Sequence, residues 1–198
     1  NADGSGVFGR KAQRKVIVNQ LKAEIDTNQG IREDQRGYNV IATPGYPELI
    51  SNMINLNTDR NNTAFIVGDT PFRLEGNATA IQNYANNSAN ATTDGEDGLV
   101  SSSDHLGVFY PSGQSTDNAG NTIVVPPSHM MLRVLANNDN VAFPWFAPAG
   151  TRRGVVDNAT SVGFINASTG EFNPISVTES LRDTMHGVKI NPITFFSG

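Results

Sequence analysis

Alternation constrains this chain most: short apolar, β-branched runs bounded by Gly and Pro are separated by stretches whose apolar residues recur at helical spacing. Residues 10–28 carry Ile17, Leu21 and Ile25 four apart with Lys, Arg and Glu between them, an amphipathic helix that ends near Gly30. Asn39-Val-Ile-Ala42 is a short strand, and Thr43-Pro-Gly-Tyr-Pro47 is a turn whose last proline suits a first helical position. Leu49, Ile50, Met53 and Ile54 then form one stripe to about residue 58. Thr63-Ala-Phe-Ile-Val67 has the composition of a buried strand, broken by Gly68-Asp-Thr-Pro71 ahead of a helix over 75–87. His105–Tyr110 is a third strand, ended by Pro111-Ser-Gly113.

Pro126-Pro127-Ser128 opens a further helix, with Met130, Met131, Val134 and Leu135 on one face. Ser161–Val177 reads as a small hairpin or irregular excursion around Thr169-Gly170. Ser176-Val-Thr-Glu179 supplies a capping box for a helix carrying Leu181 and Met185 and stopped by Gly187, and Val188–Phe196 is a last strand. Strands alternating with helices need right-handed crossovers, so the expected class is α/β: a mostly parallel sheet flanked by helices, with a small β-hairpin or irregular excursion. Residues 10–198 are expected to form a single core domain, residues 1–9 a flexible stub, and residues 86–104, rich in Asn, Ser, Thr, Asp and Gly, a mobile loop.

Composition removes several function classes. A chain of 198 residues with 37% hydrophobic content can build one sizeable core. Its formal net charge of −5 gives no general basic field, which argues against non-specific nucleic-acid binding. Cysteine is absent, so disulfides, thiol catalysis and thiolate metal sites are excluded. No apolar run has the length to cross a bilayer and no signal-peptide pattern is present, so no membrane partner is expected. Asn77, Asn90, Asn158 and Asn166 each start an Asn-x-Ser/Thr triplet, as chance provides in an asparagine-rich chain.

Between Ala136 and Gly154 the chain collects Phe143, Trp145, Phe146, Pro144 and Pro148, then Gly150 and the pair Arg152-Arg153. The prolines fix φ and remove donors, so the rings sit where regular helix cannot continue. The expectation is a rigid packed loop that fills a groove, followed by two fork-shaped cations suited to carboxylate or phosphate partners. A loop sealing its own domain, with a solvated basic pair after it, fits the same residues.

Pro144-Trp-Phe-Ala-Pro-Ala-Gly-Thr-Arg-Arg-Gly154 resembles a signature of contractile tail sheath proteins of myovirus-type phages. Tyr38-Asn-Val-Ile-Ala-Thr-Pro-Gly-Tyr-Pro-Glu48 resembles a second one, which includes Pro44, Gly45, Tyr46 and Pro47, and the two occur in the family's order. Asn61–Pro71 resembles the sheath strand after the first helix, and Val125-Pro-Pro-Ser128 the start of the helix before the aromatic loop. The likeness covers most of residues 10–198 and is greatest to T-even-like sheaths such as those of cyanophages. It implies a non-enzymatic subunit, without cofactor or metal, that assembles as stacked hexameric rings around a tail tube and contracts to drive the tube through the host envelope. The implied partners are other sheath subunits, the tube protein, the baseplate and the tail terminator. The implied location is the virion, after assembly in the host cytoplasm, and a bacteriocin or secretion-type sheath would share the mechanism. The family carries more chain at both ends, including strand-adding arms, so residues 1–198 read as a fragment expected to be monomeric or weakly associating. Arg152 and Arg153 are the expected intersubunit contacts.

The competing class is an α/β enzyme or small-ligand domain using the strand C-terminal ends near Gly45, Asp69 and Ser112. These turns lack the Walker, Gly-x-Gly-x-x-Gly and Gly-x-Ser-x-Gly patterns. His105, His129 and His186 have no metal-ligand spacing, and Arg32-Glu33-Asp34 and Asp94-Gly-Glu-Asp97 read as solvated acidic loops rather than cation sites. Asp69 reads as a general base or, more simply, as the cap of the following turn.

Overall fold

A computed structural model describes residues 7–194. Two four-stranded sheets organise the chain: a parallel sheet in the order β1-β2-β3-β8 and an antiparallel sheet in the order β5-β4-β6-β7. The parallel sheet is formed by β1 (Val40–Ala42), β2 (Phe65–Asp69), β3 (Leu106–Tyr110) and β8 (Ile190–Pro192). Its crossovers run through α2 (Ile50–Asp59) and α3 (Ala78–Ala85), and its last connection passes through the whole second sheet before returning by α6 (Glu179–Gly187). The class is the α/β fold that the alternation requires.

Strand alternation assigns the two faces. Ile41, Ile66, Val108, Tyr110 and Ile190 point to one side, where α2 supplies Ile50, Met53 and Leu56, α3 supplies Ile81 and Tyr84, and α6 supplies Leu181 and Met185. Val40, Val67 and Phe109 point to the other, against Met130, Met131 and Val134 of α4 (Pro127–Val141). Ile66, Ile81, Met130 and Met185 are fully buried, each contributing about 1.5–3 kcal/mol by leaving water.

The excursion is a complete second sheet. β4 (Ser112–Thr116) pairs antiparallel with β5 (Thr122–Val125) and with β6 (Ser161–Ile165), which pairs with β7 (Phe172–Pro174). Ser112-Gly113, expected to end a strand, instead opens β4 one residue after β3 closes. A Cβ at Gly113 would lie 2.6 Å from Met130 Sδ, so glycine there lets α4 close on the sheet.

Three local expectations shift. In α1 (Val7–Thr27) the inward stripe is Arg14, Val18, Leu21 and Ile25, whereas Ile17 faces out; the helix also takes in residues 7–9, while residues 1–6 of the expected stub lie outside the described residues. Gly68 and Asp69 belong to β2 rather than to the break after it. The α6 cap is Thr178, whose Oγ1 accepts from Leu181 N at 3.3 Å, rather than Ser176. Phe195 and Phe196 of the expected last strand lie outside the described residues.

Candidate functional site

Asp69, at the C-terminal end of β2, is 2% exposed and surrounded by donors. Ser128 N donates to Oδ1 at 2.6 Å, while Gly45 N and Ser128 Oγ donate to Oδ2 at 2.7 and 2.8 Å. The reason lies at the start of α4. Its N-cap is Pro126, which has no side-chain acceptor to offer the first-turn N–H groups. Asp69 does that work from another strand, placing a carboxylate at the positive end of the helix and binding the Gly45 turn with the same group. Burial pushes its pKa above the ordinary carboxylate value, against the pull of the three donors. Buried and holding three donors from two other segments, Asp69 acts as a brace of the fold.

The same device recurs at α2, whose N-cap is Leu49. Asp94 Oδ2 accepts from Ser51 N at 3.1 Å and Ser101 Oγ at 2.9 Å, and Oδ1 accepts from Val100 N at 2.7 Å and Ser101 N at 3.0 Å. Asp94 is 4% exposed, so this part of the acidic loop is a buried anchor rather than the solvated carboxylate its sequence suggests. It ties residues 86–104 to α2, and a bond from Leu99 N to Tyr84 O ties them to α3.

Around Gly45 the turn is clamped from α1. Arg14 makes a two-pronged bond to Glu48, with distances of 2.6 and 2.8 Å, donates to Gly45 O at 2.7 Å, and covers the Tyr46 ring at 4.9 Å. Gly45 and Pro47 are buried, Tyr46 is half-buried and Pro44 is exposed. Beside this turn an open cleft of about 600 Å³ lies between α1, the turn and the β4–β5 hairpin, with Tyr46, Phe72, Ile123 and Val125 on its walls and His129 and Asp117 at its edge. Ser112 is buried within the sheet and does not line this cleft. Of the expected strand-end cluster, Gly45 and Asp69 are thus joined to each other and to α4 as a packing joint, and Ser112 is not brought to them by any bond; among the described residues no group of three His, Asp or Glu could hold a metal ion.

The aromatic loop departs from expectation. Trp145 is 77% exposed, Phe143 64% and Phe146 48%. The loop is not packed into its own domain. Phe143 and Trp145 stack on each other, centroids 4.7 Å apart and planes 4° from parallel, and the loop is held to α4 by Asn138 Nδ2 donating to Phe146 O at 3.1 Å. Pro144 is exposed and Pro148 half-buried. Gly150 takes φ +71 and opens a single helical turn, α5 (Gly150–Arg153), which closes with Gly154 N donating to Gly150 O at 3.0 Å. Arg153 lies 5.7 Å from the Phe146 ring, Arg152 is exposed, and neither joins a salt bridge among the described residues. The prolines do hold the rings in irregular backbone; they hold them outward, as a ridge.

Arg14, Ser128 and Asp94 escape a residue-by-residue reading because their partners lie 31–59 residues away. One signal was available: two helices begin at Pro126 and Leu49, residues that cannot cap, and such ends require an acceptor from elsewhere.

No protein-family profile matches the chain, and no curated protein matches it in sequence. In structure the chain is similar to the helical sheath of the anti-feeding prophage in its contracted state, with a TM-score of 0.51 and 20% sequence identity. The likeness covers 89% of this chain and 39% of that one, and it establishes that these two sheets and their helices share the fold of a contractile sheath domain.

Proposed function

We propose that this chain is the core of a contractile tail sheath subunit, a structural protein without catalytic activity. The observation that carries the proposal is the fold shared with the anti-feeding prophage sheath over 89% of the chain. The ordered Tyr38–Glu48 and Pro144–Gly154 blocks point to the same family and favour a T-even-like phage. In this reading the subunits form hexameric rings stacked on a tail tube, between baseplate and terminator, in a virion assembled in host cytoplasm. Contraction is a repacking of rigid bodies between two sets of contacts, so energy stored at interfaces does the work and no nucleotide is consumed. A core braced by Asp69, Asp94 and Arg14 suits a part that must move as one piece.

The chain spans 39% of the sheath chain it matches. Arg152 and Arg153 are assigned to intersubunit contact. The ligand-binding alternative gains nothing comparable, because Asp69 is buried and both its oxygens already accept from the fold. Negative-stain electron microscopy of the full-length protein expressed alone, beside residues 1–198, tests the proposal: tubes from the first and dispersed particles from the second are expected. Dispersed full-length monomers under conditions that polymerise a known sheath would overturn it.

A further inference from the structure

We propose that the Phe143–Trp145 ridge of one copy of this chain seats in the open cleft beside Tyr46 and Ile123 of the next copy, a head-to-tail contact. The two surfaces match in shape and charge. The ridge offers two large stacked rings at 64% and 77% exposure, apolar area that no part of the described chain covers, followed in the chain by the exposed Arg152. The cleft, at about 600 Å³, falls in the range that encloses a molecule the size of two or three rings, and its walls are aromatic and aliphatic. Its lining carries one carboxylate not held in an ion pair, Asp117 on the β4–β5 turn, which Asn121 holds below the ordinary carboxylate range, while the one lining arginine, Arg14, is already paired with Glu48. Arg152 and Arg153, which join no salt bridge among the described residues, thus meet on the next copy a cleft whose free carboxylate is Asp117.

The two surfaces sit at opposite ends of one helix, so no copy can fill its own cleft with its own ridge. Pro126 and His129, at the start of α4, line the cleft, and α4 runs 15 residues to Val141, directly before the ridge. At about 1.5 Å per residue the helix sets the two surfaces roughly 22 Å apart, at opposite ends of one rigid rod. In the head-to-tail arrangement proposed, a ridge entering the cleft of a neighbour leaves that neighbour's ridge for a third copy, which generates an open or ring-closed series. The contact is small, so the isolated chain associates weakly and full strength requires contacts elsewhere in an assembly. The inference rests on the assembly role proposed above, but its test does not.

Sedimentation velocity and two-dimensional NMR of residues 1–198, from about 20 µM to 1 mM, provide the test, with Trp145→Ala/Arg152→Glu to remove the ridge and Ile123→Arg to charge the cleft. Both changes fall on exposed side chains, and circular dichroism verifies folding. Wild type should show a sedimentation coefficient that rises with concentration and shifts confined to the ridge and cleft, whereas each variant alone stays monomeric. Mixed together, the variants should still form one-to-one pairs, since each retains the surface the other lacks. Concentration-independent sedimentation of wild type up to 1 mM, or no pairing in the mixture, would overturn the contact while leaving the tube-forming test of the full-length protein to judge the sheath reading separately. Unchanged association of either variant alone would overturn it too.

Discussion

Asp69→Asn isolates the brace that replaces a catalytic reading. The aspartate receives three donors, at 2.6, 2.7 and 2.8 Å, on two oxygens. Asparagine keeps one oxygen and turns an amide NH2 toward whatever faced the other. With the NH2 toward Ser128 N, the first turn of α4 loses its acceptor; with it toward Gly45 N, the turn does. Either way one charge-assisted bond is lost, about 1.5–3 kcal/mol, and a buried N–H is left without partner at roughly 1–3 kcal/mol. Relief of carboxylate desolvation offsets part of this, so the net cost is about 2–4 kcal/mol at pH 7. For a domain of this size that lowers Tm by roughly 5–12 °C.

The pH dependence carries its own sign. The folded pKa of Asp69 is raised, so its contribution is fully present below the unfolded value of about 3.9 and is lost as pH rises through the folded value. Wild type gains this increment on acidification and the variant cannot, so the gap between them widens from pH 7 toward pH 4; the other carboxylates cancel in the difference. Urea titrations followed by circular dichroism at several pH values measure it. A variant within about 0.5 kcal/mol of wild type at pH 7 would refute the account of Asp69 as the trans cap of α4, whereas a gap that narrows on acidification would refute the raised folded pKa and leave the cap standing.

Trp145→Ala should change folding stability by less than about 0.5 kcal/mol, and the single tryptophan should be readily quenched by acrylamide; a packed loop would instead cost about 3–5 kcal/mol and protect the ring. Asp94→Ala removes an acceptor shared by Ser51, Val100 and Ser101, so a loss of about 2–4 kcal/mol is expected, with faster hydrogen exchange across 94–101. Arg60 is buried, donates to the carbonyls of Ile31, Glu33 and Arg36, and covers the Tyr38 ring at 4.1 Å; Arg60→Lys keeps the charge but loses the fork, and thermal denaturation should register about 1–3 kcal/mol.

Periodicity made the parallel sheet legible, because Val40–Ala42, Phe65–Asp69 and Leu106–Tyr110 are short buried runs whose helices carry clean apolar stripes. It missed β5, since Thr122–Val125 is an edge strand with an exposed start and too few alternations to announce itself. The aromatic loop shows the limit most clearly. Phe143, Trp145 and Phe146 have the composition of a core, and composition cannot tell a core of one chain from a surface that another chain covers. Asp69 was legible as important and not as to why: a carboxylate at a strand end looks the same whether it awaits a proton or holds a helix 59 residues away.

The central claim is that this fold is the rigid core of a contractile sheath, and a helical cryo-electron microscopy reconstruction of tubes formed by the full-length protein tests it most directly. The account predicts that residues 7–194 appear in every subunit as one body, with both sheets in the order found here and the Trp145 ridge buried against neighbouring protein. Assemblies with another fold at these residues, or rings in which this domain meets no neighbour, would contradict it.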